Sequence, residues 1–185
     1  MSELMKYVEI EHEKAVRLRE DFINAFVNKA SSWYERKIAA LHQYEDGACY
    51  EGYLWETLKG NESYELECSM EGACDYLRMK DAVYVMQDIH SGTRGYSPCV
   101  FACQFSKDAV LKVSGGELAD RILKEWQEPF ENWETERFFP EDIYCFDDDM
   151  EWFAIFTHEG WDQLTAPERG LDEDDYIRIC FAKGR

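Results

Sequence analysis

Basic side chains are scarce: 20 Lys and Arg stand against 39 Asp and Glu in 185 residues, a formal charge of −19. This excludes a nucleic-acid backbone or an anionic membrane surface as the main partner, because such binding rests on Lys and Arg neutralising phosphates. The natural complement is a basic protein. Long apolar runs are also missing. Stretches such as Cys99 to Cys103 fall far short of the roughly 20 residues that cross a bilayer. Glu9, Glu11 and Glu13 follow closely on Met1-Ser2-Glu3-Leu4-Met5-Lys6, where a signal peptide would need an apolar segment. The seven cysteines, at 49, 68, 74, 99, 103, 145 and 180, follow no spacing of a secreted disulfide framework. The expectation is a cytoplasmic chain in a reducing environment. No internal repeat and no Pro- or Ser-rich linker divides it, so one domain is expected over residues 1–185.

What the chain does have is a core's worth of apolar residues: 45% hydrophobic and 15% aromatic, too many for a disordered acidic polymer. The acids are unevenly placed. Residues 1–45 carry eight acids and seven bases; residues 141–175 carry 13 acids and a single base, Arg169.

The spacing of Leu18, Phe22 and Phe26, with Ala15, Ile23 and Val27 beside them, predicts a helix over Val8 to Val27. Ser32 and Glu35 have the capping-box spacing that opens a second helix, with Tyr34, Ile38 and Leu41 on one face. Tyr50 to Leu58 reads equally as helix or strand, and Met70 to Met79 as a short helix. Beyond residue 82, Val83 to Ile89 and Cys99 to Phe105 read as paired strands around the turn-forming Ser91-Gly92-Thr93-Arg94-Gly95. Ser114 and Glu117 then open a helix carrying Leu118, Ile122, Leu123 and Trp126, which Pro129 ends. Ile143 to Phe146 and Glu151 to Thr157 predict a hairpin closed by Asp147-Asp148-Asp149-Met150, its second strand apolar on both faces and hence central. Tyr176 to Phe181 alternates as a half-buried strand. Helices first and a mostly antiparallel sheet after them make the class α+β, with the helices packed on one face of the sheet.

Chemistry-bearing motifs are few. Cys99 and Cys103, on a strand, would stand about 13 Å apart, too far for one zinc ion or a disulfide. His158-Glu159-Gly160-Trp161-Asp162 shares a His-Glu start with the H-E-x-x-H zinc motif, but it has Asp at the fifth position and follows a strand where the motif needs a helix. Asp147, Asp148 and Asp149 with Glu151 lack the central glycine and twelfth-position Glu of a calcium loop. Three aspartates also suit a solvated turn. There is no G-x-S-x-G elbow, P-loop or dinucleotide fingerprint. A cysteine nucleophile with a histidine base is available by composition but specified by no spacing. No cofactor and no metal site is expected, and the reading leans away from an enzyme. Trp133 and Trp161 sit among polar residues, a composition that suits an interface rim where rings bury area and carboxylates meet Lys and Arg.

Phe139-Pro140-Glu141-Asp142-Ile143-Tyr144-Cys145-Phe146-Asp147, followed by Glu151-Trp152 and Phe156-Thr157-His158-Glu159, resembles a C-terminal signature of small uncharacterised bacterial proteins of unknown function. Some relatives in those families are suspected immunity proteins. Tyr53-Leu54-Trp55-Glu56 is similar to an upstream aromatic segment of the same group. The resemblance implies a bacterial cytosolic α+β protein and assigns no catalytic residues. Three functions stay open at this point. The first is an immunity-type inhibitor that docks an acidic face on a basic partner through Trp133, Glu141, Asp142, Asp147, Asp148, Asp149, His158, Glu159, Trp161 and Asp162. The second is a small hydrolase or metal-assisted enzyme built around Asp147, His158 and Glu159. The third is a ligand-sensing or regulatory domain.

Overall fold

A computed structural model describes residues 5–32, 34–35, 54–59, 64–65, 70–88, 99–127, 137–140, 142–156 and 181–182. In chain order the elements are β1 (Tyr7–Glu9), α1 (His12–Phe26), a 3-10 turn (Leu54–Thr57), β2 (Tyr64–Glu65) and α2 (Met70–Arg78). They continue with β3 (Val83–Gln87), α3 (Val100–Gln104), β4 (Val110–Val113), α4 (Gly115–Gln127), β5 (Ile143–Phe146), β6 (Phe153–Phe156) and β7 (Phe181–Ala182). Five strands form one antiparallel sheet in the order β1-β4-β3-β5-β6, and β2 pairs with β7 separately. The class is α+β.

The helices cover both faces of the sheet, a correction to the one-sided arrangement read from the sequence. The cause is the apolar character of both sides of the inner strands. Val83, Val85, Leu111, Ile143, Cys145, Ala154 and Phe156 pack with α2, α3 and α4, burying Cys74, Leu77, Phe101, Leu118 and Ile122. Tyr84, Met86, Val110, Tyr144, Phe146, Phe153 and Ile155 pack on the opposite face with Leu18, Phe22 and Phe26 of α1 and with Leu54 and Trp55. Phe22 is fully buried there, its ring 5.2 Å from that of Phe146 and 5.5 Å from that of Tyr144.

Several boundaries differ from expectation. Helix α1 starts at His12, because its buried stripe begins only at Ala15; Tyr7 to Glu9 instead pair with β4. In the turn that follows, Ser31 Oγ accepts the Tyr34 N–H at 3.4 Å. Ile38 and Leu41 of the second expected helix lie outside the described residues, as does most of Tyr176 to Phe181. Cys99 to Phe105 is helical, not extended: Cys103 and Phe105 donate their N–H groups to the carbonyls of Cys99 and Phe101, and the rings of Phe101 and Phe105 meet at 5.3 Å. The strand beside β3 is Val110–Val113, whose alternation leaves Lys112 exposed between buried neighbours. Strand β6 is buried on both sides yet stands last in the five-strand order, with β7 close by.

Two close fits hold α4 in place. Gly115 N–H donates to the Lys80 carbonyl at 3.2 Å, and a Cβ on Gly115 would stand 1.9 Å from the Leu77 carbonyl oxygen. At its other end, buried Glu125 accepts the Phe138 N–H at 2.7 Å, the Phe139 N–H at 3.2 Å and the Arg121 Nε–H. The same short segment offers the Arg137 and Phe138 carbonyls to the first N–H groups of α3, both at 2.8 Å. Glu117, expected to close a capping box, accepts the Lys6 N–H at 3.2 Å.

Candidate functional site

The acidic turn between β5 and β6 forms where the sequence places it. Phe146 and Phe153 pair in register, leaving Asp147 to Trp152 to cross over. Met150 takes a φ of 52°, a left-handed conformation that costs a non-glycine residue about 1 kcal/mol. Asp147 Oδ1 accepts the Glu151 N–H at 3.0 Å, and the Met150 N–H donates to the Asp147 carbonyl. Asp148, Asp149 and Glu151 are exposed and Asp147 is half-buried. Asp148 also accepts the Tyr84 hydroxyl at 3.4 Å, and Lys14 and Lys112 stand over the Tyr84 ring. The turn is thus an acidic point on a base buried on both sides. Asp147→Ala should lower stability by about 1 kcal/mol through loss of the Glu151 contact, and Asp147→Asn by less than half of that, as read by thermal denaturation.

Asp142 does not belong to that surface. It is 3% exposed, and its Oδ1 accepts the indole Nε1–H of Trp55 at 3.2 Å. The acid lies inward because it continues β5 on the same side as Tyr144. Of the other residues expected at a partner-binding face, Trp133, Glu141, His158, Glu159, Trp161 and Asp162 lie outside the described residues. The Asp147, His158 and Glu159 constellation is represented by Asp147 alone, whose carboxylate closes its own turn.

A buried polar cluster that no sequence motif marks surrounds Asp142. Asp88 extends the series Tyr84, Met86, Asp88 along the α1 side of β3 and is fully buried. Its Oδ2 accepts the Tyr144 hydroxyl at 2.5 Å and the Leu54 N–H at 3.1 Å. The Tyr144 oxygen accepts the Trp55 N–H at 3.2 Å. Arg19, 6% exposed, donates from Nη1 to the Gln87 carbonyl at 3.2 Å. Burial lowers the Arg19 pKa, partly offset by the charges of Asp88 and Asp108. Burial first, and then the charges of Asp88 and Asp142, push the Tyr144 hydroxyl well above its ordinary range, keeping it a donor. Two carboxylates and a protonated phenol here fasten the Leu54–Thr57 turn to the sheet. The clue in the sequence is an Asp that follows, after Gln87, the run Val83 to Met86.

Cysteine chemistry meets a similar limit. Cys145 is fully buried, and burial followed by nearby Cys74 pushes its pKa well up, which keeps it a thiol rather than a nucleophilic thiolate. Cys99 and Cys103 do occupy one helical turn, so the 13 Å separation expected of a strand does not apply. Cys99 is buried, however, and Cys103 exposed. Among the described residues no group of three or more His, Cys, Asp or Glu is placed to hold a metal ion, and no helix is long and apolar enough to cross a membrane. Comparison with protein-family models, curated proteins and solved structures gives no match.

Proposed function

We propose that this chain is a binding protein that docks an acidic surface on a basic protein partner, most concretely as an immunity-type inhibitor. The observation that carries the reading is the β5–β6 turn. Asp148, Asp149 and Glu151 project from strands whose side chains are buried on both faces, within a chain of net charge −19. Carboxylates held on a fixed base need little ordering to meet a partner's Lys and Arg, and the net charge speeds capture of a basic protein while repelling phosphate backbones.

The test is titration calorimetry with the basic proteins encoded beside this chain in its genome. A complex should form and weaken with rising salt. Asp148→Lys combined with Asp149→Lys should reduce affinity about tenfold, mostly through the association rate. Absence of any complex, or one indifferent to both salt and charge reversal, rejects the proposal.

A further inference from the structure

The free side of β1 is fixed by its pairing with β4. Opposite residues in an antiparallel ladder alternate between pairs that exchange both backbone bonds and pairs that exchange none. Ile10 N–H donates to the Val110 carbonyl at 2.9 Å, and Val8, two residues earlier, stands opposite Lys112. Ile10 and Val8 therefore direct their backbone groups to β4, whereas Tyr7 and Glu9 direct theirs away from it. Among the described residues no hydrogen bond meets those outward groups. All three side chains of β1 are exposed, Val8 at 63% and Tyr7 at 37%.

We propose that this edge pairs with the same edge of a second copy of the chain, antiparallel, about a two-fold axis through Val8. In this register Tyr7 faces Glu9 of the second copy and Glu9 faces its Tyr7, so every outward N–H and C=O of β1 is used, in four hydrogen bonds. A shift of two residues in either direction uses only half of them within β1, and one such shift sets Glu9 against Glu9. In the proposed register Lys6 stands opposite Ile10, Glu9 opposite Tyr7 and Glu11 opposite Met5 of the second copy, so no like charges face each other directly across the seam. Val8 meets Val8 on the axis in a non-hydrogen-bonded pair, where Cα atoms approach to about 4.5 Å. Such an isologous strand addition takes the chain itself as its partner, and the shortness of β1 makes it a weak one. It is independent of the acidic turn and has the opposite salt dependence. Two chains of charge −19 repel less when screened.

Sedimentation of the full chain at rising concentration should show monomer and dimer in exchange, with the dimer fraction rising with salt. Val8→Lys sets two ammonium groups on the axis and should stay monomeric at every concentration, with an unchanged circular dichroism spectrum. Val8→Cys gives an independent reading. A non-hydrogen-bonded pair has disulfide geometry, so oxidised glutathione should link this variant between chains in several-fold excess over wild type and over Lys29→Cys, an exposed site beyond the other end of α1. A wild-type chain that stays monomeric, a dimer that Val8→Lys leaves intact, or a Val8→Cys yield no higher than the controls overturns the proposal.

Discussion

Replacing Gly115 with alanine is expected to destabilise the fold by about 3 kcal/mol or more, the upper range for overpacking a close contact. The added methyl would stand 1.9 Å from the Leu77 carbonyl oxygen and 2.5 Å from that of Lys80. Both obstacles are main chain, at the end of α2, so no rotamer change clears them. Either α4 moves off α2, breaking the bond from Gly115 N–H to Lys80, or the end of α2 unwinds. Gly116 is the control. A Cβ there has its nearest neighbour at 3.9 Å, the Ser114 Oγ, so Gly116→Ala should be neutral or stabilising by about 0.5 kcal/mol. Urea denaturation of the two variants tests the pair, and equal midpoints would refute the close-approach account.

Removal of the Glu125 carboxylate should cost a similar amount. Glu125→Ala leaves the buried Phe138 and Phe139 N–H groups without this acceptor and removes one ion-pair partner of the Arg121 guanidinium, a loss of about 3 kcal/mol. Glu125→Gln keeps one carbonyl oxygen and should lose about half as much. Because the segment also accepts the first N–H groups of α3, the damage should spread. Hydrogen exchange at Phe138, Phe139, Val100 and Phe101 should accelerate together in Glu125→Ala. Acceleration confined to Phe138 and Phe139 would show that the two attachments are independent.

The parts of this fold legible in the sequence are those in which one local period decides. The Leu18, Phe22, Phe26 stripe marks α1, Leu118 and Ile122 mark α4, and the three aspartates mark the β5–β6 turn. What escaped depends on neighbours distant in sequence. Val100 to Gln104 has strand-like composition, but its N–H groups find acceptors on residues 137 and 138, which makes a helical turn the better-satisfied form. Val8 looks like the start of a helix, yet its backbone pairs with Lys112. Burial on both sides of β6 was readable, but its place in the sheet was not, because strand order is set by pairing rather than by pattern. The same holds for the candidate site. The exposed turn is local and was found, whereas the inward course of Asp142 follows from Trp55, 87 residues away, offering its indole N–H.

The register of β1 also bears on the order of folding. Tyr7 lies opposite Val113, so this seam closes one of the longest loops in the sheet, whereas β5 and β6 are joined by a turn of a few residues. Loop-closure entropy rises with the length enclosed, and the exposed side chains of β1 return little burial for it. The hairpin and the β3–β4 pair can therefore assemble as a nucleus without the N-terminus, and β1 is a late addition that completes the sheet without being needed to start it.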